Sequence, residues 1–336
     1  MTALAPYLAA FLREHLPGER RASQHTCQAY ATTFQLLVTF AAHRLAVRPS
    51  GLGVEQLDTS LILAFLEHIE QERGNSARSR NARLAAINSF FRFLEFRLPA
   101  CLDQARQIGA IPVKKTDKAL VAYLTREEMR ALLAAPDPRS RYGTRDRAML
   151  HLAFAGGLRV SELLSLRLDR VRCADQPSVH VVGKGRRERE LPLWKETATV
   201  ISAWIAIRPP TSAIELFLNS TGRLMTRSGF EYILAKHVAA AAQTCPTLAA
   251  KRVTPHVLRH TCAMHTLQAT RDVRQVSLWL GHASLQSTEV YLRADPTEKL
   301  ATLAASDAPM LTPGRFTAPD KLIAMLKEVS RPDYAK

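Results

Sequence analysis

The 336-residue sequence is poor in cysteine and has no long apolar run, and each absence excludes a class of protein. Its five cysteines are scattered and never form a CxxC pair, which argues against structural zinc and predicts reduced thiols in the cytoplasm. No apolar stretch approaches the ~20 residues that span a bilayer. No basic segment precedes the short apolar stretch at the N-terminus, so we expect a first helix there and not a signal peptide.

Acidic residues are scarce relative to basic ones throughout the chain. Lysine and arginine total 46 against 30 acidic residues, which gives a formal charge of +16 and a pI near 10.1. Residues 1–118 carry 15 bases and 10 acids, and residues 119–336 carry 31 and 20. Two basic regions indicate a long anionic partner that both of them grip. Because no strongly basic amphipathic helix is evident, nucleic acid is favoured over a membrane surface.

The length of the chain predicts two domains, each large enough to bury its own core. The pattern of residues 1–106 is helical, for example where Tyr30, Phe34 and Leu37 recur at steps of three and four. Residues 107–119 combine glycine, proline and three lysines without periodicity, and we predict that they form a linker.

The second predicted domain, residues 120–300, combines helices with a little sheet. Thr125 and Glu128 stand in a capping-box relation, so we expect the domain to open with a helix. The segment SVHVVGKGRRERELPLW alternates apolar and polar residues around GKG, which indicates a β-hairpin. The chain is therefore expected to be mainly α with a small β-hairpin or sheet, followed by a tail, residues 301–336. Further helices are predicted at about 196–207, 227–243, 255–269, 272–280 and 285–294.

Two basic residues of this domain stand in unusual settings. Arg159 lies in the apolar stretch FAGGLRVSELLSL, where an unpaired charge would be very costly, so its partner is either Glu162 or a phosphate. Lys184 lies between two glycines in VGKGRRERE and is either a solvated turn residue or a mobile lysine able to act as a general acid. The pattern GxxxxGK[ST] is absent, so no nucleotide-binding loop is expected.

The segment TPHVLRHTCAMH places His256, Arg259 and His260 on one face of a helix. The two histidines have the spacing of zinc ligands, but the intervening glutamate and a third acidic ligand are missing, so we expect no metal. We expect His260, which directly follows Arg259, to be a satisfied core residue. His282 follows a Leu-Gly helix stop, and Tyr291 lies one helix later, where it either packs against its neighbours or does chemistry.

Two arginines, a lysine, two histidines and a tyrosine in one basic domain have a joint chemical meaning. A phosphodiester under attack develops negative charge, which two forked, permanently charged guanidiniums can neutralise without a metal. The Tyr291 hydroxyl could then attack and form a phosphotyrosyl ester that keeps the energy of the bond for religation. His256 could accept the phenolic proton, and Lys184 could protonate the departing sugar oxygen.

The segments GLRVSELLSL, GKGRRERELPL, HVLRHTCAMH and LGHASLQSTEVY resemble the successive boxes of tyrosine recombinases, the phage-integrase family. The resemblance covers the whole second domain and implies an α+β catalytic domain there. Residues 1–106 resemble the family's helical core-binding domain more loosely. Two segments depart from the family pattern: LQATRDV replaces a glycine-containing turn, and YLRAD follows the tyrosine where Thr-His is common. Neither departure removes a catalytic position, so they bear on the subfamily.

The resemblance implies a role for each candidate residue and implies no cofactor or metal. Those roles are phosphate binding by Arg159 and Arg259, nucleophilic attack by Tyr291, general-acid catalysis by Lys184, acid–base chemistry by His256 and hydrogen-bond donation to the phosphate by His282. Basic residues elsewhere are either solvated charges or phosphate contacts, and we predict DNA contact. These residues are Arg78, Arg80, Arg83, Lys114, Lys115, Arg186 and Arg187.

The expected function is site-specific recombination of double-stranded DNA through covalent 3′-phosphotyrosyl intermediates, by a cytoplasmic, nucleoid-associated protein whose two domains clamp the duplex. The alternatives are a DNA-binding regulator that does not cut and a nicking-closing enzyme like type IB topoisomerases. A tetrameric synapse of this chain, alone or with a related recombinase, is expected. In the tail, Asp320 can cap a helix whose apolar side includes Leu322, Ile323 and Leu326. This helix either packs on its own domain or docks on a neighbouring protomer.

Overall fold

The computed structural model describes residues 1–117, 120–183, 187–282 and 284–295, together with Lys321, Met325 and Leu326. The chain divides into two compact units, Met1–Lys118 and Ala119–Lys336. It is mostly helical with one small antiparallel sheet, which confirms the predicted fold class. None of the helices in the described ranges is long and apolar enough to cross a membrane.

The first unit is a helical bundle around a core rich in phenylalanine. Phe11, Phe34 and Phe90 are at most 2% exposed, and each pair of their rings lies in edge-to-face contact. Three of the helices begin where a serine or aspartate side chain accepts a backbone N–H of the first turn, as N-caps do. The helices are α1 (Leu4–Ala10), a π-helical stretch (Phe11–Glu19), α2 (Gln24–Arg44), α3 (Thr59–Gln71), α4 (Ala77–Arg97) and α5 (Leu102–Gly109).

The segment predicted as a linker begins as part of this bundle. Helix α5 continues to Gly109, past the expected end at residue 106. Ile108 and Ile111 are buried in the core of the first unit. Two apolar residues three positions apart make too short a pattern to reveal a helix in the sequence, whereas packing against α3 and α4 decides it.

The second unit combines a three-stranded antiparallel sheet with helices. The strands are β1 (Val171–Arg172), β2 (Ser178–Val182) and β3 (Glu188–Pro192), in that spatial order, and β2 and β3 form the hairpin that the sequence indicates. The helices are α6 (Arg126–Ala134), α7 (Arg141–Ala155), α8 (Val160–Leu164), α9 (Lys195–Ile207), α10 (Arg227–Ala241), α11 (Pro255–Thr270), α12 (Val273–Leu280) and α13 (Glu289–Ala294).

Local sequence signals account for most of these boundaries. Thr125 and Glu128 form the expected capping box at the start of α6. The last predicted helix, residues 285–294, is divided into a 3₁₀ turn, Leu285–Ser287, and α13. The residue between them, Thr288, is fully buried and turns its hydroxyl to the side chain of His282. The break in the helix therefore places the Thr288 hydroxyl beside His282.

Candidate active site

The second unit brings four of the six predicted catalytic residues into one site. Arg159 caps α8, Arg259 lies on α11, His282 follows α12, and Tyr291 lies on α13. Of the other two, His256 is exposed on the first turn of α11, and Lys184 lies outside the described residues.

Two glycine turns allow the elements of the site to approach closely. Gly157 and Gly281 both adopt left-handed backbone, with φ of 52° and 62°. A Cβ on Gly157 would lie 2.6 Å from Leu280 Cδ2, so only glycine fits between α7 and the end of α12. Arg259 donates hydrogen bonds to the carbonyl oxygens of Gly157 and Leu280, the latter at 2.8 Å. These bonds fix its guanidinium between the two turns.

A buried carboxylate, Glu162, gathers three arginines around the site. Arg159 Nη1 donates to Oε1 at 2.7 Å, and Arg189 Nη2 donates to Oε2 at 2.8 Å. Arg259 Nη1 lies 4.0 Å from Oε2. Burial alone would raise the pKa of Glu162, but hydrogen bonds from Arg189 and Arg159 outweigh it and hold that pKa below its usual range. Three cations against one anion leave the cluster with an excess of positive charge, as a phosphate site requires.

The tyrosine of the site is buried and therefore holds its proton firmly. Tyr291 is 2% exposed, and its hydroxyl oxygen lies 3.0 Å from His260 Nδ1. Burial raises the pKa of Tyr291 to about 12, against the lowering effect of Arg259 and Arg159. At neutral pH the phenol is therefore protonated, and attack on a phosphate would need a group that accepts this proton.

His282 is held beside the tyrosine ring. Its Nδ1 lies 2.8 Å from the hydroxyl of Thr288, and its ring is stacked on that of Tyr291 with centroids 6.3 Å apart. Burial, followed by repulsion from Arg259 and Arg159, lowers the pKa of His282 to about 4. The imidazole is thus neutral near pH 7, and its contact with Thr288 fixes the orientation of the ring.

The histidine of α11 that contacts Tyr291 is His260, where the sequence favours His256. The sequence favours His256 as the partner of Tyr291 and assigns His260 to the core. The structure puts His260 against the tyrosine hydroxyl, whereas His256 is exposed, with its ring centroid 6.4 Å from that of His260. Both lie on one helix face, so spacing alone cannot distinguish them. The acid–base role of His256 stays a prediction.

Arg189 is the functional candidate that the sequence does not single out. It lies on β3, and its side chain is 10% exposed and holds both oxygens of Glu162. In the sequence it is one of several charges in GRRERE, of which only Arg186 and Arg187 are predicted to contact DNA. Only the folded structure, in which Arg189 contacts Glu162 on α8, shows that it belongs to the site.

The structure describes six of the seven predicted DNA contacts, and these six fall into three groups. The prediction that Arg80 contacts DNA is wrong. Arg80 is 4% exposed and donates to the carbonyl oxygen of Pro112 at 2.8 Å, which makes it a structural residue of the first unit. Arg83 and Lys114 are partly engaged, with the Thr33 hydroxyl at 2.9 Å and the Glu70 carboxylate at 2.8 Å. Arg78, Lys115 and Arg187 are exposed. Arg186 lies outside the described residues.

Metal binding has no support in the parts of the chain that the structure describes. No group of three or more histidine, cysteine, aspartate or glutamate side chains there is arranged to hold an ion. The pair His256 and His260 therefore has the spacing of zinc ligands without a third ligand.

Both units match known protein families. Residues 122–298 match the phage integrase family, and residues 8–97 match the phage integrase N-terminal SAM-like domain. A Sinorhizobium fredii protein named integrase/recombinase y4rC is 41% identical over 97% of this chain and 98% of its own length. Tyrosine recombinase XerC of Pelobacter propionicus is 34% identical over 87% of this chain and 91% of its own.

Solved structures share the fold. The Tn1549 transposon integrase in complex with transposon right end DNA superposes with a TM-score of 0.65 at 17% identity, over 90% of this chain and all of that one. The XerH site-specific recombinase bound to its difH substrate gives a TM-score of 0.61 at 21% identity, over 88% and 84% of the two chains. The family match over residues 122–298 and the similarity to the integrase/recombinase and XerC sequences show that the chain belongs to the phage integrase family of tyrosine recombinases.

Proposed function

We propose that this protein cuts and rejoins double-stranded DNA through a covalent 3′-phosphotyrosyl intermediate. The observation that carries the proposal is the placement of the Tyr291 hydroxyl in a site where Arg159 and Arg259 are fixed by a carboxylate and by backbone carbonyls. Fixed guanidiniums stabilise the charge of a phosphoryl transition state without reorganising during the reaction.

The proposed cleavage step forms one bond to phosphorus and breaks another. The Tyr291 oxygen attacks the scissile phosphate as a base of the site accepts its proton, the bond from phosphorus to the 5′ oxygen breaks, and Lys184 protonates that oxygen. His282 donates a hydrogen bond to the phosphate. Because Tyr291 is buried, DNA binding has to uncover its hydroxyl. Religation reverses each transfer, with the 5′ hydroxyl of a second strand as the attacking group.

A suicide substrate separates this proposal from a regulator that only binds DNA. A nicked duplex that loses its short 5′ fragment on cleavage traps the phosphotyrosyl adduct, which denaturing gels resolve from free protein. A regulator would shift the duplex in a native gel without leaving any adduct. Exchange of strands between two duplexes then distinguishes a recombinase from a nicking-closing enzyme, which would relax supercoiled DNA but join no new partners.

Double-stranded DNA is the proposed partner of both units. The XerH structure is bound to its difH substrate, the Tn1549 integrase structure is in complex with transposon right end DNA, and each unit of this chain carries excess basic charge. Phosphate contacts release condensed counterions, so affinity falls as salt rises.

We predict a slope of log affinity against log salt concentration with a magnitude above about 5. Fluorescence anisotropy on a labelled duplex, titrated at several salt concentrations, measures it. Arg78→Gln should reduce the slope by about 1, because this exposed residue would contribute one phosphate contact. A nearly flat salt response would contradict the proposal that both units contact the duplex.

Assembly on DNA is proposed to depend on the tail. Most of the predicted tail helix lies outside the described residues, but Met325 and Leu326 are described and are 51% and 52% exposed. The second unit also has an apolar groove of about 620 Å³ whose lining includes Arg126, Arg130 and Arg147. We propose that the tail of a second copy docks in this groove, which would cover its exposed apolar residues Met325 and Leu326.

Truncation after Thr312 is expected to leave single-site DNA binding intact and to abolish synapsis in a native gel. Ala269→Glu, which places a charge in the groove, should have the same effect. Ala239→Glu, at an exposed position of α10, is the matched control and should form synapses normally. Synapsis by the truncated chain would refute docking between copies. Reduced stability of the truncated chain, with normal synapsis, would indicate that the tail packs on its own unit.

A further inference from the structure

We propose that His260 is a catalytic residue that receives the phenolic proton of Tyr291 during strand cleavage. The inference rests on the proposed phosphotyrosyl chemistry and adds a role to it. The sequence assigns this histidine to the core, and the family resemblance stated above gives it no task.

The geometry places the two groups in direct contact. His260 Nδ1 lies 3.0 Å from the Tyr291 hydroxyl oxygen, within the distance at which a base accepts a proton from a nucleophile. The two rings meet nearly edge to face, with centroids 5.6 Å apart and planes at 62°. The contact joins the middle of α11 to α13, so neither group depends on a loop for its position. His256, one turn earlier, points into solvent.

Burial and the charges around His260 keep its imidazole neutral, which leaves one ring nitrogen with a free lone pair. Burial lowers the pKa of His260 to about 4, with further lowering by His256 and Arg259 on the same helix. Tyr291 on α13 and His282 after α12 face it from the other elements. A bound phosphate would bring negative charge beside the ring and raise its basicity. The carboxylate of the site, Glu162, is already engaged by arginines.

The proposed transfer balances with the cleavage step. As the bond between the Tyr291 oxygen and phosphorus forms, the phenolic proton passes to His260 Nδ1, which becomes an imidazolium. Lys184 meanwhile protonates the departing 5′ oxygen. In religation the imidazolium returns its proton to the tyrosine oxygen, and the attacking 5′ hydroxyl gives its proton to Lys184. Neither direction needs a further reactant.

The first test is the pH dependence of cleavage under single-turnover conditions on the suicide substrate. His260→Gln keeps a hydrogen-bonding side chain but no base, and we expect cleavage at pH 7 to slow roughly 10²- to 10⁴-fold. The wild-type rate should be flat above the pKa of His260. The rate of the variant should instead rise about tenfold per pH unit in the alkaline range, because hydroxide must remove the proton. His256→Gln, whatever its effect on the rate, should keep the wild-type shape.

The second test removes the ring and supplies a base from solution. Imidazole and substituted imidazoles should restore cleavage by His260→Ala, and the restored rate should rise with the basicity of the added compound. A merely structural role would not produce this dependence. An equal slowing of His260→Gln at every pH, faster cleavage by either variant, or no rescue by imidazole would each overturn the proposal. If the wild type itself forms no adduct, the proposed phosphotyrosyl chemistry fails; if it does and His260→Gln cleaves at the wild-type rate, only the role of His260 fails.

Discussion

Tyr291→Phe is expected to abolish the covalent protein–DNA adduct completely while leaving DNA affinity unchanged. The substitution removes the one oxygen that would bond to phosphorus and keeps the ring that packs in the core of the second unit. The cost in stability should be about 1 kcal/mol, the contribution of a typical hydrogen bond, here the one to His260. Denaturing gels on the suicide substrate measure the adduct, and anisotropy measures the affinity.

The controls for this variant separate loss of the nucleophile from loss of the fold. A thermal melt should be cooperative and close to that of the wild type, and single-site binding should persist in a native gel. An adduct formed by Tyr291→Phe would mean that another residue attacks the phosphate and that Tyr291 only fills space in the core.

Arg159→Ala is expected to slow adduct formation roughly 10²- to 10³-fold, by removing about 3 kcal/mol of charge stabilisation from the transition state. Arg259→Ala should be at least as damaging, but it also leaves the carbonyl oxygens of Gly157 and Leu280 without their donor, so stability should fall as well. Arg259→Lys restores charge without the fork and should recover stability better than cleavage. Single-turnover rates, with a melt for each variant, measure these effects.

The matched control for the arginines is Arg227→Ala, which removes an exposed, ion-paired arginine of α10 far along the chain from the site boxes. It should cleave as the wild type does. EDTA should leave wild-type cleavage unchanged, because the guanidiniums take the part that metal ions play in other phosphoryl-transfer sites. Wild-type rates for Arg159→Ala, or loss of activity in EDTA, would contradict phosphate activation by arginine.

Much of the fold could be predicted because its signals are local. The hairpin β2–β3 shows in the alternation around GKG, and α6 shows in the capping box of Thr125 and Glu128. The end of the first unit could not be predicted in this way. Ile108 and Ile111 belong to it because both are buried in its core, with α5 packed against α3 and α4, which a short apolar pair does not reveal.

The site follows the same division between local and tertiary information. The boxes single out Arg159, Arg259 and Tyr291 because each of these residues lies within a recognisable sequence motif. They do not show which histidine of α11 faces α13, since His256 and His260 share a helix face and only tertiary packing selects one.

Two arginines show the same limit of a sequence pattern. Arg80 belongs to a basic cluster that is typical of phosphate contact, but it is buried against Pro112, while the neighbouring Arg78 is exposed. Arg189 belongs to a run of charges that is typical of solvent, but it holds Glu162. In both cases burial, which depends on distant parts of the chain, decides the role.

The most direct measurement is to identify the residue that becomes attached to DNA. The wild-type adduct trapped on a suicide substrate would be digested with protease and nuclease, and the modified peptide sequenced by mass spectrometry. Covalent attachment through a phosphotyrosyl bond at Tyr291, in the peptide that contains EVYLR, is the predicted result. Attachment at any other residue, or a trapped complex without a phosphotyrosyl bond, would contradict it.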